Sequence, residues 1–122
     1  MTGAGPLILV VEDDPSLRLL CRINLELEHY RVEEAATVET ARGAVAAERP
    51  ALVFLDVRLG AEDCDALLDE LRLAGIPVVL VSGVADLAGY RHRATEVLGK
   101  PFAPQALVDA AKRLAVGNVS AP

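Results

Sequence analysis

Acidic, hydroxyl and ammonium side chains follow four separate apolar runs of this sequence. They are Glu12 and Asp13 after 7–11, Asp56 after 51–55, Ser82 after 76–81, and Lys100 after 96–99. A carboxylate can act as a nucleophile and carry a covalent phosphoryl group. An ammonium, a hydroxyl and a divalent cation can neutralise or orient the transferring oxygens. The set is therefore typical of phosphoryl transfer onto Asp56, assisted by Ser82 and Lys100.

Three carboxylates brought into one place need a counter-charge. Two of them at about 4 Å repel by roughly 4 kcal/mol at an effective dielectric near 20, so three must take up a cation or share a proton. Lys100 supplies one positive charge, and Mg²⁺, which binds through one or two carboxylates and several waters, suits the rest. We therefore predict that Glu12, Asp13 and Asp56 bind a metal ion. Taken one by one, the same residues could be helix caps, salt-bridge partners or exposed turn residues.

Strand and helix patterns alternate along the chain. The predicted strands are 7–11, 30–35, 51–56, 76–81 and 96–99, and the predicted helices are 15–28, 38–48, 64–73, 85–91 and 104–115. Asp14 and Thr37 suit N-caps, Pro15 suits a first helical position, and Gly75 suits a helix end. Five βα units predict an α/β fold with a parallel sheet covered by helices on both faces. The strand order 2-1-3-4-5 would bring the four polar strand ends together.

The apolar periodicity also assigns inward positions within the helices. In the first helix they are Leu17, Leu20, Cys21, Ile23, Leu25 and Leu27, and in the third they are Leu67, Leu68 and Leu71. The segment 57–63 between the Asp56 strand and the third helix reads as a loop. Cys21 and Cys64 are expected to be buried apolar fillers.

Composition limits the class of protein. Hydrophobic residues make up 52% of the 122 residues and aromatic residues only 3%, which predicts a folded domain with an aliphatic core. A formal net charge of −6 argues against nucleic-acid binding. No apolar run approaches the roughly 20 residues of a membrane helix, and the N-terminus lacks a signal-peptide pattern. Two cysteines are too few for a disulfide framework, so a reduced, cytoplasmic protein is expected.

We expect a flexible leader at 1–6, one domain over 7–115 and a flexible tail at 116–122. The chain stops soon after the last predicted helix, so no DNA-binding module is expected on it. A fragment of a hybrid kinase is an open alternative.

Four stretches carry a resemblance to a known family, the receiver domain of two-component response regulators. They are Ile8-Leu9-Val10-Val11-Glu12-Asp13-Asp14-Pro15, Val53-Phe54-Leu55-Asp56, Val79-Leu80-Val81-Ser82-Gly83 and Lys100-Pro101-Phe102. The resemblance covers roughly 7–115. It implies a flavodoxin-like, doubly wound (βα)5 fold with a five-stranded parallel sheet. The Ser82-Gly83 pair resembles a subgroup of regulators that often stand alone.

The resemblance also implies roles for individual residues. Asp56 would accept phosphate from a histidine kinase or a histidine phosphotransfer protein, in a step that needs Mg²⁺. Glu12 and Asp13 would hold the metal with Asp56 and the backbone carbonyl of Arg58. Ser82 would match the switch hydroxyl and Lys100 the family's lysine, with a cis bond between Lys100 and Pro101. Such a protein is a signalling receiver, whose only catalysis is its own phosphoryl uptake and hydrolysis.

The sequence departs from the family pattern at three positions. Gly60 and Cys64 stand where a proline and a glycine usually follow the phosphoacceptor, and Val97 stands at the position of the switch aromatic residue. Tyr90 is a candidate substitute for that aromatic ring. A degenerate receiver that binds proteins without phosphate is therefore one alternative. An aspartyl-phosphate hydrolase of the haloacid dehalogenase type is another, although Pro15 stands where its Asp-x-Asp motif needs a second aspartate. The downstream partner is not defined by the sequence, and a homodimer is an open alternative.

Overall fold

A sheet of five parallel strands forms the centre of the protein. The computed structural model describes residues 5–59, 62–83 and 94–115. The strands are β1 (Leu7–Val11), β2 (Arg31–Ala35), β3 (Leu52–Asp56), the two-residue β4 (Arg58–Leu59) and β5 (Glu62–Asp63), β6 (Val78–Gly83) and β7 (Glu96–Lys100). The main sheet has the order β2-β1-β3-β6-β7. This confirms the predicted order, because β4 and β5 form a separate sheet of their own.

Four described helices cover the two faces of the sheet. They are α1 (Pro15–Leu27), α2 (Val38–Ala47), α3 (Asp65–Leu73) and α4 (Pro104–Leu114). The predicted caps are present: the side chain of Asp14 accepts hydrogen bonds from the Ser16 and Leu17 amides, and that of Thr37 accepts one from the Thr40 amide. Gly75 follows α3 with a φ of 77°, a left-handed conformation that glycine adopts at little cost.

The three central strands, β1, β3 and β6, are buried on both faces, which explains why they read as continuous apolar runs. On one face, Leu9, Val11, Val53 and Leu55 pack with residues of α2 and α3. On the other, Ile8, Val10, Leu52 and Phe54 pack with residues of α1 and α4. The two cores fix the sheet between the helix layers, and with it the positions of the strand ends.

The region after Asp56 differs from the expected loop. Residues 58–59 and 62–63 pair as a short antiparallel hairpin, with Arg58 opposite Asp63 and Leu59 opposite Glu62. Two-residue strands show no periodicity in a sequence, so the pattern could not reveal them. Leu59 is buried in the core under α3, and this anchors the hairpin beside Asp56.

The pattern also placed too many residues of α1 inside. Cys21 and Leu25 are buried and Leu17 is half-buried, as expected. Leu20, Ile23 and Leu27 are 39%, 48% and 71% exposed, so the prediction that they face the core was wrong. A helix on one face of a sheet buries a single stripe, and here the stripe is the row of positions four residues apart.

The remaining differences between the predicted and the observed elements are small. β6 continues through Ser82 and Gly83 instead of ending before them. The expected inward residues of α3, which are Leu67, Leu68 and Leu71, are buried. The expected helix over 85–91 and Tyr90 lie outside the described residues, as do 1–4 and 116–122. None of the described helices is long and apolar enough to cross a membrane.

Candidate functional site

The register of the sheet brings the acidic strand ends together. Val11, the last residue of β1, pairs with Leu55 of β3. Glu12 directly follows β1 and Asp56 is the last residue of β3, so the two lie side by side at the carboxyl edge of the sheet. Open α/β sheets bind ligands at this edge, at the point where the strand order reverses.

Glu12, Asp13 and Asp56 form a cluster of carboxylates. One oxygen from each lies within 4.8 Å of the others. Glu12 and Asp56 are only 4% and 3% exposed, whereas Asp13 is exposed. Close acidic oxygens at a partly open position match the hard oxygen donors that Mg²⁺ prefers. The three predicted carboxylate ligands thus lie together, and their chemistry fits a divalent cation.

Lys100 supplies the positive charge of the cluster. Its Nζ lies 3.1 Å from Oδ2 of Asp56 and 3.2 Å from Oε1 of Glu12. Burial alone would lower the pKa of the lysine, but the hydrogen bonds and negative charges of Asp56 and Glu12 outweigh it and raise that pKa. Lys100 is therefore a permanent cation between the two buried carboxylates.

Glu12 has an unusual affinity for protons. Burial raises the pKa of its carboxyl from 4.5 to about 7, and the neighbouring Asp56 adds to the rise. The Asp14 amide, which donates to Oε2 at 3.1 Å, and the ammonium of Lys100 act in the opposite direction. Without a metal ion, a proton at Glu12 relieves part of the repulsion in the cluster.

Asp56 is held at both its carboxylate and its backbone. Oδ1 accepts a hydrogen bond from the Arg58 amide at 3.0 Å, and the Asp56 carbonyl accepts one from Sγ of Cys64 at 3.3 Å. Oδ2 accepts the bond from Lys100. Cys64 thus does more than fill space, because the buried thiol ties the start of α3 to the strand end. The carboxylate of Asp56 is fixed toward the acidic cluster.

Ser82 lies on β6, the strand next to that of Asp56, and Val97 lies on β7, one strand further out. Asp56 pairs with Val81 of β6, so Ser82 is one position further toward the same edge. Ser82 is buried and Val97 is half-buried. Lys100 pairs with Gly83, and the Lys100–Pro101 bond is cis, as expected. The predicted residues of four different strands therefore converge on one edge.

Sequence reasoning missed a pair of arginines behind the cluster. Arg18 of α1 donates from one terminal nitrogen to the carbonyl of Glu12 and from Nε to Glu34, both at 2.8 Å. Arg22 donates to the other oxygen of Glu34. In the sequence, Arg18 follows Asp14 by one helical turn, which puts it near the acidic residues. That spacing did not indicate a contact, because charged residues on a helix are ordinarily solvated.

Comparison with known proteins identifies the family. The model of the response regulator receiver domain matches residues 8–112. The chain therefore belongs to the response regulator receiver domain family. This is a signalling module, which sets aside the haloacid dehalogenase interpretation.

Two curated relatives are regulatory proteins of bacteria. It is 32% identical to the transcriptional regulatory protein GltR of Pseudomonas aeruginosa over 93% of this chain and 50% of that protein. It is 34% identical to the nitrogen assimilation regulatory protein NtrX of Azorhizobium caulinodans over 83% of this chain and 24% of that protein. The chain thus spans half the length, or less, of these curated relatives.

A solved structure shows the same fold. The crystal structure of the receiver domain of NtrX from Brucella abortus matches with a TM-score of 0.82 and 33% identity, over 90% of this chain and 98% of that chain. The flavodoxin-like (βα) arrangement predicted for this chain is thereby confirmed.

Proposed function

We propose that this protein is a phosphorelay receiver that takes a phosphoryl group onto Asp56 from a histidine kinase or a histidine phosphotransfer protein, in a Mg²⁺-dependent step. One observation carries the proposal. Asp56 is a buried carboxylate fixed by the Arg58 amide and Lys100, and it shares a cluster with two further acids. A carboxylate that could act as nucleophile, a counter-charge and further oxygen donors thus lie close together, which supports the proposal.

In the transfer, a carboxylate oxygen of Asp56 attacks the phosphorus atom of the donor. A P–O bond forms, and the P–N bond to the donor's histidine breaks. The imidazole nitrogen keeps the electron pair of that bond and takes up a proton.

The surrounding residues stabilise charge. Glu12, Asp13, Asp56 and the backbone carbonyl of Arg58 would hold Mg²⁺, which when bound supplies positive charge to the phosphoryl oxygens. Lys100 lies within hydrogen-bond reach of Asp56 and would pair with the phosphoryl group after transfer. Ser82, one position further along β6, would donate its hydroxyl to a phosphoryl oxygen and so sense the phosphorylated state.

An exposed apolar row on α1 gives the donor a place to bind. Leu19, Leu20, Ile23 and Leu27 are between 39% and 71% exposed. Exposed apolar side chains on one helix form a candidate interaction surface, and the helix begins two residues after Asp13. We infer that a helical surface of the donor packs on this row in the cytoplasm and brings its phosphohistidine to Asp56. Phosphorylation would then change the affinity for a downstream protein.

Mass spectrometry after treatment with a small phosphodonor tests the proposal. With Mg²⁺, the full chain should gain one acid-labile phosphoryl group, and chelator should prevent the gain. Asp56→Asn keeps the shape of the side chain and should abolish labelling. Unchanged labelling of Asp56→Asn would contradict the assignment of the nucleophile.

Val97 supports a second candidate, a receiver that binds its partner without phosphate. An aliphatic residue at this position cannot provide a rotating aromatic ring as a signal. If this candidate holds, Asp56→Asn should bind the downstream partner as tightly as the phosphorylated protein. Binding that appears only after phosphorylation would exclude it.

A further inference from the structure

We propose that Arg18 is a positioning residue for the metal-binding carboxylates, acting through the peptide between Glu12 and Asp13, and that Glu34 holds Arg18 in place. The inference rests on the proposed function, because it concerns the same Mg²⁺ site. It assigns a role to two residues outside the acidic cluster.

The guanidinium of Arg18 makes two hydrogen bonds in different directions. One terminal nitrogen donates to the carbonyl oxygen of Glu12 at 2.8 Å, and Nε donates to Oε1 of Glu34 at 2.8 Å. The side chains of Arg18 and Glu34 are 20% and 25% exposed. A planar guanidinium with several donors can serve both acceptors at once, which an ammonium on a flexible stem does less well. Partial burial strengthens such charge-assisted hydrogen bonds.

The carbonyl that Arg18 binds belongs to the peptide joining two of the carboxylates. The amide of Glu12 is fixed separately, because it donates to the carbonyl of Ala35 on β2 at 3.0 Å. Glu12 is thus held on both sides of its Cα atom by groups outside β1. Rotation of the Glu12–Asp13 peptide would turn the exposed Asp13 away from Glu12 and Asp56. Arg18 blocks that rotation.

Glu34, on the edge strand β2, holds the guanidinium of Arg18 through its Nε atom. Its second oxygen accepts a hydrogen bond from Arg22 at 2.5 Å. The hydrogen bonds from Arg22 and Arg18 keep the pKa of Glu34 below its usual value, so it stays charged. Within the described part of the chain, the other hydrogen bond of Arg22 goes to Glu26. Arg22 is therefore a matched control: an arginine on the same helix, bound to the same Glu34, whose contacts do not include Glu12.

If Arg18 acts only through its charge, its loss should raise the Mg²⁺ affinity; if it positions the ligands, its loss should lower that affinity. Removing a cation near three carboxylates strengthens the attraction for Mg²⁺ through charge alone. Removing a group that orients metal ligands weakens metal binding, typically by 10- to 100-fold. A weaker Mg²⁺ site in Arg18→Met would therefore identify positioning, because methionine keeps much of the apolar stem and lacks the guanidinium.

The test measures Mg²⁺ binding to the full chain by isothermal titration calorimetry. Arg18→Met should weaken binding by about tenfold, whereas Arg22→Met should stay within about twofold of the wild type. In phosphorylation by acetyl phosphate, Arg18→Met should raise the Mg²⁺ concentration for half-maximal rate and leave the rate at saturating Mg²⁺ nearly unchanged. In chelator, hydrogen exchange at the Asp13 and Asp14 amides should be faster in Arg18→Met than in Arg22→Met.

Two results would overturn the role of Arg18: wild-type Mg²⁺ affinity in Arg18→Met, or equal weakening in Arg22→Met. Arg18→Lys, which retains charge and most of the stem, provides a second variant if the methionine variant does not fold. It should also bind Mg²⁺ more weakly, and full wild-type affinity there would contradict the need for two directed hydrogen bonds. A wild-type protein that neither binds Mg²⁺ nor takes up phosphate would instead contradict the proposed function. Hydrogen exchange in chelator would still report whether Arg18 holds the peptide.

Discussion

Nζ of Lys100 lies 3.1 Å from Oδ2 of Asp56, although the two are 44 positions apart in the sequence. The same nitrogen lies 3.2 Å from Oε1 of Glu12. One ammonium thus bridges the ends of β1 and β3 from the end of β7. This bridge lets two carboxylates remain close at an edge where burial disfavours their charges.

Replacing Lys100 should separate transfer chemistry from metal binding. Lys100→Met removes a cation that would stabilise the phosphoryl oxygens, so the phosphorylation rate at saturating Mg²⁺ should fall by about 10²-fold. Mg²⁺ affinity should be equal or higher, because the cluster loses its competing positive charge. The measurements are phosphorylation kinetics with a small phosphodonor and titration calorimetry.

Lys112→Met is the matched control for that variant. Lys112 pairs with Glu28 at 3.2 Å, between α4 and the end of α1, so its replacement should change neither quantity. A Lys100→Met variant with wild-type kinetics would show that the ammonium only balances charge in the resting protein.

Stability without metal should depend on the proton at Glu12. The folded-state pKa of about 7 lies above the unfolded value of 4.5, so the folded protein holds more protons between these values. The resulting stabilisation is complete below about pH 4.5 and is lost as the pH rises through about 7. In chelator, the free energy of unfolding should therefore fall by about 1–3 kcal/mol between about pH 5 and pH 8.

Glu12→Gln provides the check on that assignment, with urea unfolding at several pH values as the measurement. The variant resembles protonated Glu12, so it should match the wild type near pH 5 and be the more stable protein near pH 8. Glu34, whose pKa is lowered by Arg22 and Arg18, contributes to stability above about pH 4.5 and loses that contribution only at lower pH. If the free energy of unfolding of Glu12→Gln falls with pH as steeply as that of the wild type, the pH dependence belongs to another group.

Mg²⁺ affinity should rise with pH, whereas the stability of the metal-free protein should fall. The metal needs the deprotonated carboxylate, so binding releases the proton of Glu12. Below about pH 7, the apparent affinity should fall by up to about tenfold per pH unit, and calorimetry in buffers of different ionisation enthalpy should reveal the proton release. Glu12→Gln should bind more weakly, but with little pH dependence between about pH 6 and pH 8.

Asp13 and Asp14 should differ in what their loss affects. Asp14 caps α1, with Oδ1 accepting from the Ser16 amide at 2.9 Å, so Asp14→Ala should cost about 1 kcal/mol of stability and leave Mg²⁺ affinity nearly unchanged. Asp13→Asn removes a predicted metal ligand and should weaken Mg²⁺ with little effect on stability. Urea unfolding in chelator and calorimetry measure the two effects, and the reverse pattern would show that the ligand and the cap had been interchanged.

Much of the fold could be predicted from the sequence because the central parallel strands β1, β3 and β6 are buried on both faces. Each of these strands therefore appears as a short apolar run, and a polar residue after the run marks its carboxyl end. Asp56 and Ser82 were identified in this way and Lys100 from the shorter run of the half-buried β7, and the strand order then placed the three at one edge. The helix caps were predictable for a similar local reason, since Asp14 and Thr37 bond to amides within their own first turns.

The remaining features depend on contacts that leave no local pattern. Arg18 and Glu34 are 16 positions apart, and in the sequence both look like ordinary solvated charges. The exposed leucines of α1 look buried because hydrophobic spacing cannot show how much of a helix a neighbouring layer covers. The hairpin of β4 and β5 is too short for periodicity, and Leu59 joins it to the core.

The burial of both cysteines has a practical consequence. Neither thiol forms a disulfide, and burial raises the pKa of Cys21 to about 12, so its reactive thiolate is scarce. Cys64 is enclosed with its Sγ directed at a backbone carbonyl. A cysteine introduced on the surface should therefore be the dominant target for maleimide dyes or spin labels in the native protein. Probes could then be attached along α1 without first removing either natural thiol.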